Sequence, residues 1–418
     1  MKQNAIMVLL VLVTFFVISF LTNILGPLIP DIIDNFSLSL GLAGFLPFSF
    51  FVAYGVMSIP AGILVEKYTE KPVMIAAFVM GFGGALLFAL FPSFSVALIS
   101  LFLIGIGMAI LQVIINPLLR TSGGESNYAF YSAMAQLVFG LASFLSPQLY
   151  SYLVHNVHSD NTGYFISLLN KLVPENLKWV SLYWVFTLIT LTMIVLIWTL
   201  KFPKVKLKAD ERIEVGHTFR ELLSNRYVIL FFIGLFTYVG TEQGIANWIS
   251  KFLQIYHGVD PTTLGADTIS WFWGLMTVGC FLGLFLLKIL DSKVVLLVFT
   301  TGGMIALLTA LIGTKEMALV AFPLTGFFAS VMYPVIFSLA LNSVPKHHGT
   351  FAGILCTGIA GGALVPLLIG GLAELIGLRA AMFFIFVTLG YIFSIGIWAK
   401  PIVANATITQ RIKNLFRK

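Results

Sequence analysis

Long apolar runs recur along the whole 418-residue chain, and they constrain its fold more than any other feature. An α-helix needs ~20 such residues to cross the ~30 Å hydrocarbon core of a bilayer. Inside lipid, backbone N–H and C=O groups have to be hydrogen-bonded within the chain, and a helix does this in a single segment. The pattern therefore predicts an all-α membrane protein.

Twelve spans are predicted, in two sets of six. The first set is placed at 5–33, 42–65, 73–91, 95–119, 128–154 and 179–201. The second set is placed at 227–252, 267–288, 293–313, 316–342, 349–376 and 379–400. This division predicts an N-terminal six-helix bundle at 1–201, a linker at 202–226, a C-terminal six-helix bundle at 227–400 and a tail at 401–418.

The charge content supports the same fold. Only 10% of the residues are charged and 59% are hydrophobic, whereas soluble domains carry ~25% charged residues. The net charge of +7 by itself suggests an acidic partner such as nucleic acid. The basic residues, however, lie in short loops between spans and not on one water-facing surface. We therefore expect no nucleic-acid partner.

Lysine and arginine also indicate the orientation. With the N-terminus inside, 19 of the 24 basic residues lie on the cytoplasmic side. Such a bias is the positive-inside signal of multi-pass proteins. It predicts an inner-membrane protein with both termini cytoplasmic.

The two halves echo one another weakly. Residues 139–147 read FGLASFLSP and residues 358–366 read GIAGGALVP, so both place small residues before a proline in the middle of a span. Transporters are commonly built from such repeats, with the substrate site where the repeats meet near the bilayer midplane.

Five segments resemble a known family. The loop at 62–71, GILVEKYTEK, resembles the signature loop of the major facilitator superfamily, with Glu66 where Asp is usual and Thr69 where Gly is usual. Four further segments resemble the fucose–galactose–glucose:cation symporter family; they are Asn116–Pro117, Tyr238–Gly240, Tyr333–Leu339 and Gly361–Pro366. The resemblance implies the major facilitator fold, two pseudo-symmetric six-helix bundles, and import of hexoses or deoxyhexoses by alternating access driven by H⁺ or Na⁺.

The chain departs from the fucose members of that family at two positions. Those members carry an Asp in span one and a Glu in span four that are central to proton coupling, and the matching residues here are Asn23 and Gln112. An amide does not titrate. The departure favours Na⁺ over H⁺ as the coupling ion, and leaves Asn23 as a candidate ligand of the ion or the substrate.

Amide side chains are the main candidate substrate ligands. Gln112 and Asn116 lie four residues apart in span four, and Ser132 and Gln136 do so in span five, so each pair shares one helix face. Gln112 and Gln136 both lie ~12 Å from the cytoplasmic end of their spans. Amides donate and accept hydrogen bonds, which suits sugar hydroxyls. The alternative is hydrogen bonding between helices.

Glu242 is the sharpest single feature. It lies ~22 Å into span seven, and a carboxylate at such a depth has to be paired, hydrated or protonated. We predict that it couples transport to a cation, either by exchanging a proton or by holding Na⁺. The alternative is a protonated glutamate held by Tyr238, one turn back.

Spans seven, eight and ten supply the remaining candidates. Gln243 and Asn247 are predicted to bind substrate, and Trp248 and Trp273 to stack on a sugar ring, although aromatic residues near span ends also serve as interfacial anchors. Tyr333 is a further candidate, with packing beside Pro334 as its alternative.

The most probable function on these grounds is secondary active import of a hexose. A facilitator or exporter of another small polar or amphipathic compound is the alternative. A membrane enzyme is disfavoured because the sequence contains no catalytic constellation. We expect no cofactor other than Na⁺ or H⁺ as coupling ion, no firm metal site apart from a possible Na⁺ near Glu242, and a monomer.

Overall fold

The structure, a computed structural model, describes residues 4–124, 127–159, 163–202, 217–344 and 348–402. In these segments the regular elements are all helical. The helices of the first half are α1 Ala5–Thr22, α2 Leu25–Phe36, α3 Leu40–Tyr68, α4 Glu70–Leu90, α5 Phe94–Gly123, α6 Tyr128–Asn156, α7 Tyr164–Leu172, α8 Ser181–Thr199 and α9 His217–Leu223. Those of the second half are α10 Arg226–Ala246, α11 Ile249–His257, α12 Ala266–Ile289, α13 Ser292–Ile312, α14 Lys315–Ala329, α15 Met332–Leu341, α16 His348–Thr357, α17 Gly361–Ile376, α18 Leu378–Met382 and α19 Ile385–Trp398.

Twelve segments of the described chain are long and apolar enough to cross a bilayer, as predicted. Span one comprises α1 and α2, span ten comprises α14 and α15, and spans eleven and twelve are likewise divided. The predicted linker contains α9; its residues 203–216 and the predicted tail from 403 onward lie outside the described part of the chain.

Because the number of spans is even, both ends of the described chain lie on one face of the bundle. Here the backbone N–H of Asn4 donates to Ser122 O and that of Ile402 donates to Asn342 O. We call this the terminal face. The opposite face, which carries the turn between α2 and α3 and the helix α11, is called the far face.

The two halves repeat one stabilising contact. In the first half, Lys71 at the start of span three donates from Nζ to Trp198 O at 2.8 Å and Leu200 O at 2.7 Å, at the end of span six. In the second half, Lys293 at the start of span nine donates to the carbonyl oxygens of Ile397 and Ala399, at the end of span twelve. Each ammonium group thus satisfies carbonyls that a helix C-terminus leaves without intrahelical donors.

The first span of each half is interrupted at an asparagine. Span one breaks at Asn23, between α1 and α2, and span seven breaks at Asn247 and Trp248, between α10 and α11. The span predicted at 227–252 crosses this break: its membrane-spanning part is Arg226–Ala246, and its last residues belong to α11. Apolar periodicity does not reveal such a break, because the residues on both sides of it are buried.

The halves meet along two helix pairs, α3 with α17 and α6 with α12. Small residues let the backbones touch. At Gly370 of α17, an added Cβ would lie 2.6 Å from the carbonyl oxygen of Leu40 in the other half. At Gly26 of α2, an added Cβ would collide with the carbonyl oxygen of Ala246. Such close approach is typical of membrane helices, whose association depends on packing and not on apolar burial from water.

Polar bridges join the halves at the far face. Lys251 Nζ of α11 lies 3.1 Å from Asp34 Oδ1 of α2. Gln148 of α6 donates to Asp267 Oδ1 of α12 at 2.7 Å. The Glu374 carboxylate of α17 accepts from the backbone N–H of Gly41 at 2.9 Å. Together with the glycine contacts, these bridges close the space between the halves on this side.

The adjacent glycines of α17 provide a matched test of this closure. We expect Gly370→Ala to lower the thermal unfolding midpoint of the purified protein by several degrees, because overpacking a tight contact costs ~1–3 kcal/mol. Gly371→Ala is the control, since an added Cβ there meets nothing within 4 Å. Equal midpoints for the two variants would contradict the tight contact with Leu40.

Candidate functional site

A cavity of about 440 Å³ lies between α6 of the first half and α15 of the second. It extends from the middle of the bundle toward the terminal face, where α15 ends. Its lining residues are Gln136, Tyr333, Pro334, Phe337, Ser338, Leu341 and Asn342. The structure thus brings two of the sequence-predicted residues, Gln136 and Tyr333, to one cavity.

Five of these residues were not among the predicted site residues. Their spacing was the available signal: Tyr333, Phe337 and Leu341 recur every four residues, as do Pro334, Ser338 and Asn342, so both rows follow one side of a helix. The side of α15 that faces the other half, however, depends on how the halves pack, which the spacing does not indicate.

A helix break sets the direction of α15. Helix α14 ends at Ala329 and α15 begins at Met332, so Pro334 falls in the first turn, where its missing N–H leaves no carbonyl unpaired. The rings of Tyr333 and Phe337 are stacked, with centroids 5.9 Å apart. The break therefore presents two aromatic rings in sequence along the cavity wall.

The Glu242 carboxylate accepts two hydrogen bonds. The Tyr238 hydroxyl donates to Oε2 at 2.6 Å, and the Gln243 amide donates to Oε1 at 3.1 Å. Tyr238 lies one turn earlier on α10, which is the spacing that brings two side chains together on a helix. The pairing with Tyr238 is the arrangement that the sequence suggested as the alternative to a functional role. The two are compatible, since a hydrogen-bonded carboxyl group can still exchange a proton.

An aromatic path connects Glu242 to the cavity. The ring centroid of Tyr238 lies 5.6 Å from that of Tyr333, and Tyr333 lines the cavity. Glu242 itself is partly exposed, not fully enclosed. Tyr238 therefore lies between the Glu242 carboxylate and Tyr333 in the cavity wall, and both tyrosine hydroxyls can donate and accept hydrogen bonds.

The predicted ligands of span four, Gln112 and Asn116, are not among the residues that line the cavity. Gln112 Oε1 is buried and has no hydrogen-bond partner, and Ser132 Oγ of α6 is in the same condition. Asn116 is exposed, one turn closer to the terminal face. A buried oxygen without a donor costs ~1–3 kcal/mol, so each of these two atoms calls for a water molecule or a ligand as its partner.

Asn23, in contrast, is satisfied within the fold. It is buried, and its amide donates to Ser143 Oγ of α6 at 2.8 Å. The Ser143 hydroxyl also contacts Ser19 Oγ at 2.6 Å. The structure thus uses Asn23 to join the broken span one to span five and does not place it at the cavity.

Gln243 and Asn247 form a second internal network. Both are buried. The Asn247 amide donates to the backbone oxygen of Gln243 at 2.8 Å and to its side-chain Oε1 at 3.2 Å. The two residues therefore stabilise the last turn of α10 before its break, and neither lines the cavity.

The two predicted aromatic platforms also lie away from the cavity. Trp248 is fully buried, and its indole N–H donates to Pro366 O of α17 at 3.2 Å. Trp273 is buried against Phe272, with ring centroids 5.1 Å apart, and its indole nitrogen has no partner. In this structure the stacking surfaces at the cavity are Tyr333 and Phe337.

The described residues contain no cluster of three His, Cys, Asp or Glu side chains that could hold a metal ion. Near Glu242, both carboxylate oxygens already accept hydrogen bonds. Each oxygen accepts one of these bonds, and an ionised carboxylate keeps further lone-pair sites that a cation can use.

The contrast between the two amides is testable. We expect Asn23→Leu to lower the thermal unfolding midpoint, because it removes a buried hydrogen bond worth ~1 kcal/mol that joins the end of α1 to α6. Gln112→Leu should leave the midpoint unchanged or raise it, because it removes an unsatisfied buried oxygen. If Gln112→Leu is the more destabilised of the two, Gln112 has a structural partner.

The sequence is similar to those of known membrane transporters. A family model described as Major Facilitator Superfamily matches residues 11–359. The chain is 28% identical over 387 residues to a glucose/galactose transporter of Brucella abortus, covering 90% of each chain. It is 25% identical over 382 residues to the L-fucose-proton symporter of Escherichia coli, covering 85% of this chain and 84% of the other.

Two solved structures show the same fold. The fucose symporter in its outward conformation superimposes with a TM-score of 0.66 at 22% identity, covering 96% of this chain and 100% of the other. A bacterial homologue of the human lysosomal transporter Spinster, inward-facing and occupied, superimposes with a TM-score of 0.76 at 16% identity, covering 96% and 97%. Since the family model spans most of the chain, this protein belongs to the Major Facilitator Superfamily, as its signature loop indicated, and is a transporter and not an enzyme.

Proposed function

We propose that this protein imports a hexose-type sugar by alternating access and couples the import to a cation. One observation supports this proposal more strongly than the others. A hydrogen-bonded carboxyl group, Glu242, lies two tyrosine side chains from a cavity that carries an amide, Gln136, on its opposite wall. This arrangement links a candidate cation-binding group to a candidate sugar-binding surface through Tyr238 and Tyr333.

The cavity suits a sugar in size and chemistry. Small-molecule sites have volumes of ~300–1,000 Å³, a range that includes the cavity between α6 and α15. Gln136, Ser338 and Asn342 offer donors and acceptors for hydroxyl groups, and the Tyr333 and Phe337 rings offer flat apolar faces for a pyranose ring. The relatives named as glucose/galactose transporters support a hexose.

Coupling is assigned to Glu242. The two amides that replace the acids of the fucose symporters, Asn23 and Gln112, do not titrate, whereas Glu242 is an acid joined to the cavity wall through Tyr238 and Tyr333. We favour Na⁺ over H⁺ on the ground that the chain lacks those acids. The fucose relatives are named as proton symporters, and the experiment below separates the two ions.

The orientation follows from the loop charges. The terminal face carries the excess of Lys and Arg, so we assign it to the cytoplasmic side of the inner membrane. With the far face closed by the Asp34–Lys251 and Gln148–Asp267 bridges, the cavity then faces inward. We expect the monomer to be the transporting unit.

One observation favours the alternative, a facilitator or exporter of an amphipathic compound. Tyr333, Pro334, Phe337 and Leu341 make one wall of the cavity largely apolar. A ligand with a larger hydrophobic part would bury more of this wall. A thermal-shift screen of hexoses against amphipathic compounds distinguishes the two, since the sugar importer is stabilised by hexoses.

Reconstituted protein should accumulate labelled glucose or galactose when an inward Na⁺ gradient is imposed across the liposome membrane. Glu242→Gln should abolish accumulation and retain exchange of sugar, because the amide binds hydroxyls and does not hold a cation or release a proton. Varying the Na⁺ and pH gradients separately identifies the ion.

Glu175→Gln is the control, since Glu175 is an exposed carboxylate outside the cavity. Accumulation by Glu242→Gln at the wild-type level would remove Glu242 from the coupling mechanism. Uptake that responds to neither the Na⁺ nor the pH gradient would identify the protein as a facilitator.

Gln136→Ala should raise KM for the transported hexose about fivefold with a smaller change in kcat, because a hydrogen bond to substrate contributes ~1 kcal/mol to binding. Thr192→Val is the matched control: the Thr192 hydroxyl is exposed and donates only to Leu188 O of its own helix. An unchanged KM in Gln136→Ala would place the sugar elsewhere.

A further inference from the structure

A second cluster of polar groups without partners lies on the far face of the C-terminal half, away from the cavity. Arg379 at the start of span twelve stacks on the aromatic side chains of α11. Its guanidinium carbon lies 4.4 Å from the ring centroid of Tyr256 and 5.7 Å from that of Phe252. The Arg379 backbone N–H donates to the Tyr256 hydroxyl at 2.9 Å, which holds the two residues in register.

Two nitrogen atoms in this cluster have no hydrogen-bond partner. Arg379 Nε and His257 Nε2 are both buried and unpaired. Within the described part of the chain, no carboxylate is seen in a salt bridge with Arg379, whereas Lys251 is paired with Asp34. Stacking uses the face of a guanidinium group and leaves its N–H edges free, and these edges match the oxygens of a phosphate group.

The charge around the cluster is positive on balance. Lys315 and Glu316, at the start of α14, are the other charged residues that act on His257. Partial burial, together with the charges of Arg379 and Lys315, holds the pKa of His257 below its ordinary value and outweighs the opposing effect of Glu316. A neutral His257 has one ring nitrogen available to a ligand, and an anion bound beside it would raise its pKa.

The sequence makes this cluster unusual. Only five basic residues lie on the far side of the predicted topology, and Lys315 and Arg379 are two of them. A third, Lys251, is paired with Asp34. Basic residues are disfavoured on that side of a membrane protein, so two in one place call for a function other than orientation.

Apolar side chains surround the cluster on the outer surface of the bundle. Leu375 is 82% exposed and Ile376 is 57% exposed just before Arg379, and Met317 is 53% exposed beside Lys315. Exposed apolar side chains at the end of a span contact acyl chains. The cluster therefore lies at the level where headgroups meet the hydrocarbon.

We propose that Arg379 and His257, with Lys315 at the rim, form a binding site for the phosphate of an anionic phospholipid in the leaflet of the far face. The Arg379 N–H edges and His257 Nε2 hold the phosphate oxygens, and the exposed apolar residues contact the acyl chains. Basic pockets between membrane helices bind such headgroups. The site is independent of the sugar cavity and of the coupling ion.

The test uses the full-length protein. Native mass spectrometry after exchange into phosphatidylglycerol should show a retained lipid on the wild type, and Arg379→Gln should reduce its occupancy about tenfold, because a bidentate charged contact is lost. Arg379→Lys should be intermediate, since it keeps the charge and loses the stacking fork. Lys178→Gln, a basic residue on the far face of the other half, is the control. Equal retention by wild type and Arg379→Gln overturns the proposal.

Two further measurements complete the experiment: the pH dependence of lipid retention, and the thermal midpoint with different phosphate compounds. Retention should weaken as the pH rises from about 5 to 8 and should lose this dependence in His257→Gln, because bound phosphate favours the protonated imidazole.

Phosphatidylglycerol should raise the thermal midpoint of the wild type, and phosphatidylcholine and inorganic phosphate should not. A rise with inorganic phosphate alone overturns the lipid as occupant. If neither phosphatidylglycerol nor inorganic phosphate raises the thermal midpoint, the proposed site is overturned.

Discussion

Close contact between the two six-helix halves on one side of the bundle determines what the remainder of the structure can do. The contact depends on glycine: at Gly26 and Gly370 the backbones of opposite halves approach so closely that a methyl group has no space. Membrane helices gain little from burying apolar surface against each other, because lipid is equally apolar. Packing and polar bridges such as Asp34–Lys251 therefore hold the halves together. With one side closed, the space between the halves remains at the other side, where the cavity lies.

The polar side chains inside the bundle fall into two groups that sequence alone does not separate. Asn23, Gln243 and Asn247 are buried and hydrogen-bonded within the fold, at the breaks of the first span of each half. Gln112 has an unsatisfied oxygen, and Gln136 is exposed to the cavity. A satisfied amide contributes to stability, the unsatisfied oxygen of Gln112 reduces it, and the exposed amide of Gln136 is available to a ligand in the cavity.

The breaks in the helices also position the charged chemistry. Because α10 ends just beyond Glu242, the carboxyl group lies near the end of a helix, next to Tyr238 and opposite α15. The break before Met332 places Tyr333 where it touches both Tyr238 and the cavity. The same principle applies at the far face, where the positive-φ turn at Gly377 places Arg379 over the rings of α11.

Apolar runs, loop charges and the signature loop were sufficient to predict the all-α class, the twelve spans and the superfamily, because the bilayer permits few structures and each leaves a strong local pattern. They also singled out Glu242, Gln136 and Tyr333. Only the tertiary structure decided that Trp248 and Trp273 are buried in packing, that span seven is broken at Asn247, and that the Tyr333 side of α15 faces the cavity. The reason is that an amide or an indole in an apolar helix has the same local sequence whether it faces a neighbouring helix or a water-filled space, and the packing of the two halves alone distinguishes these surroundings.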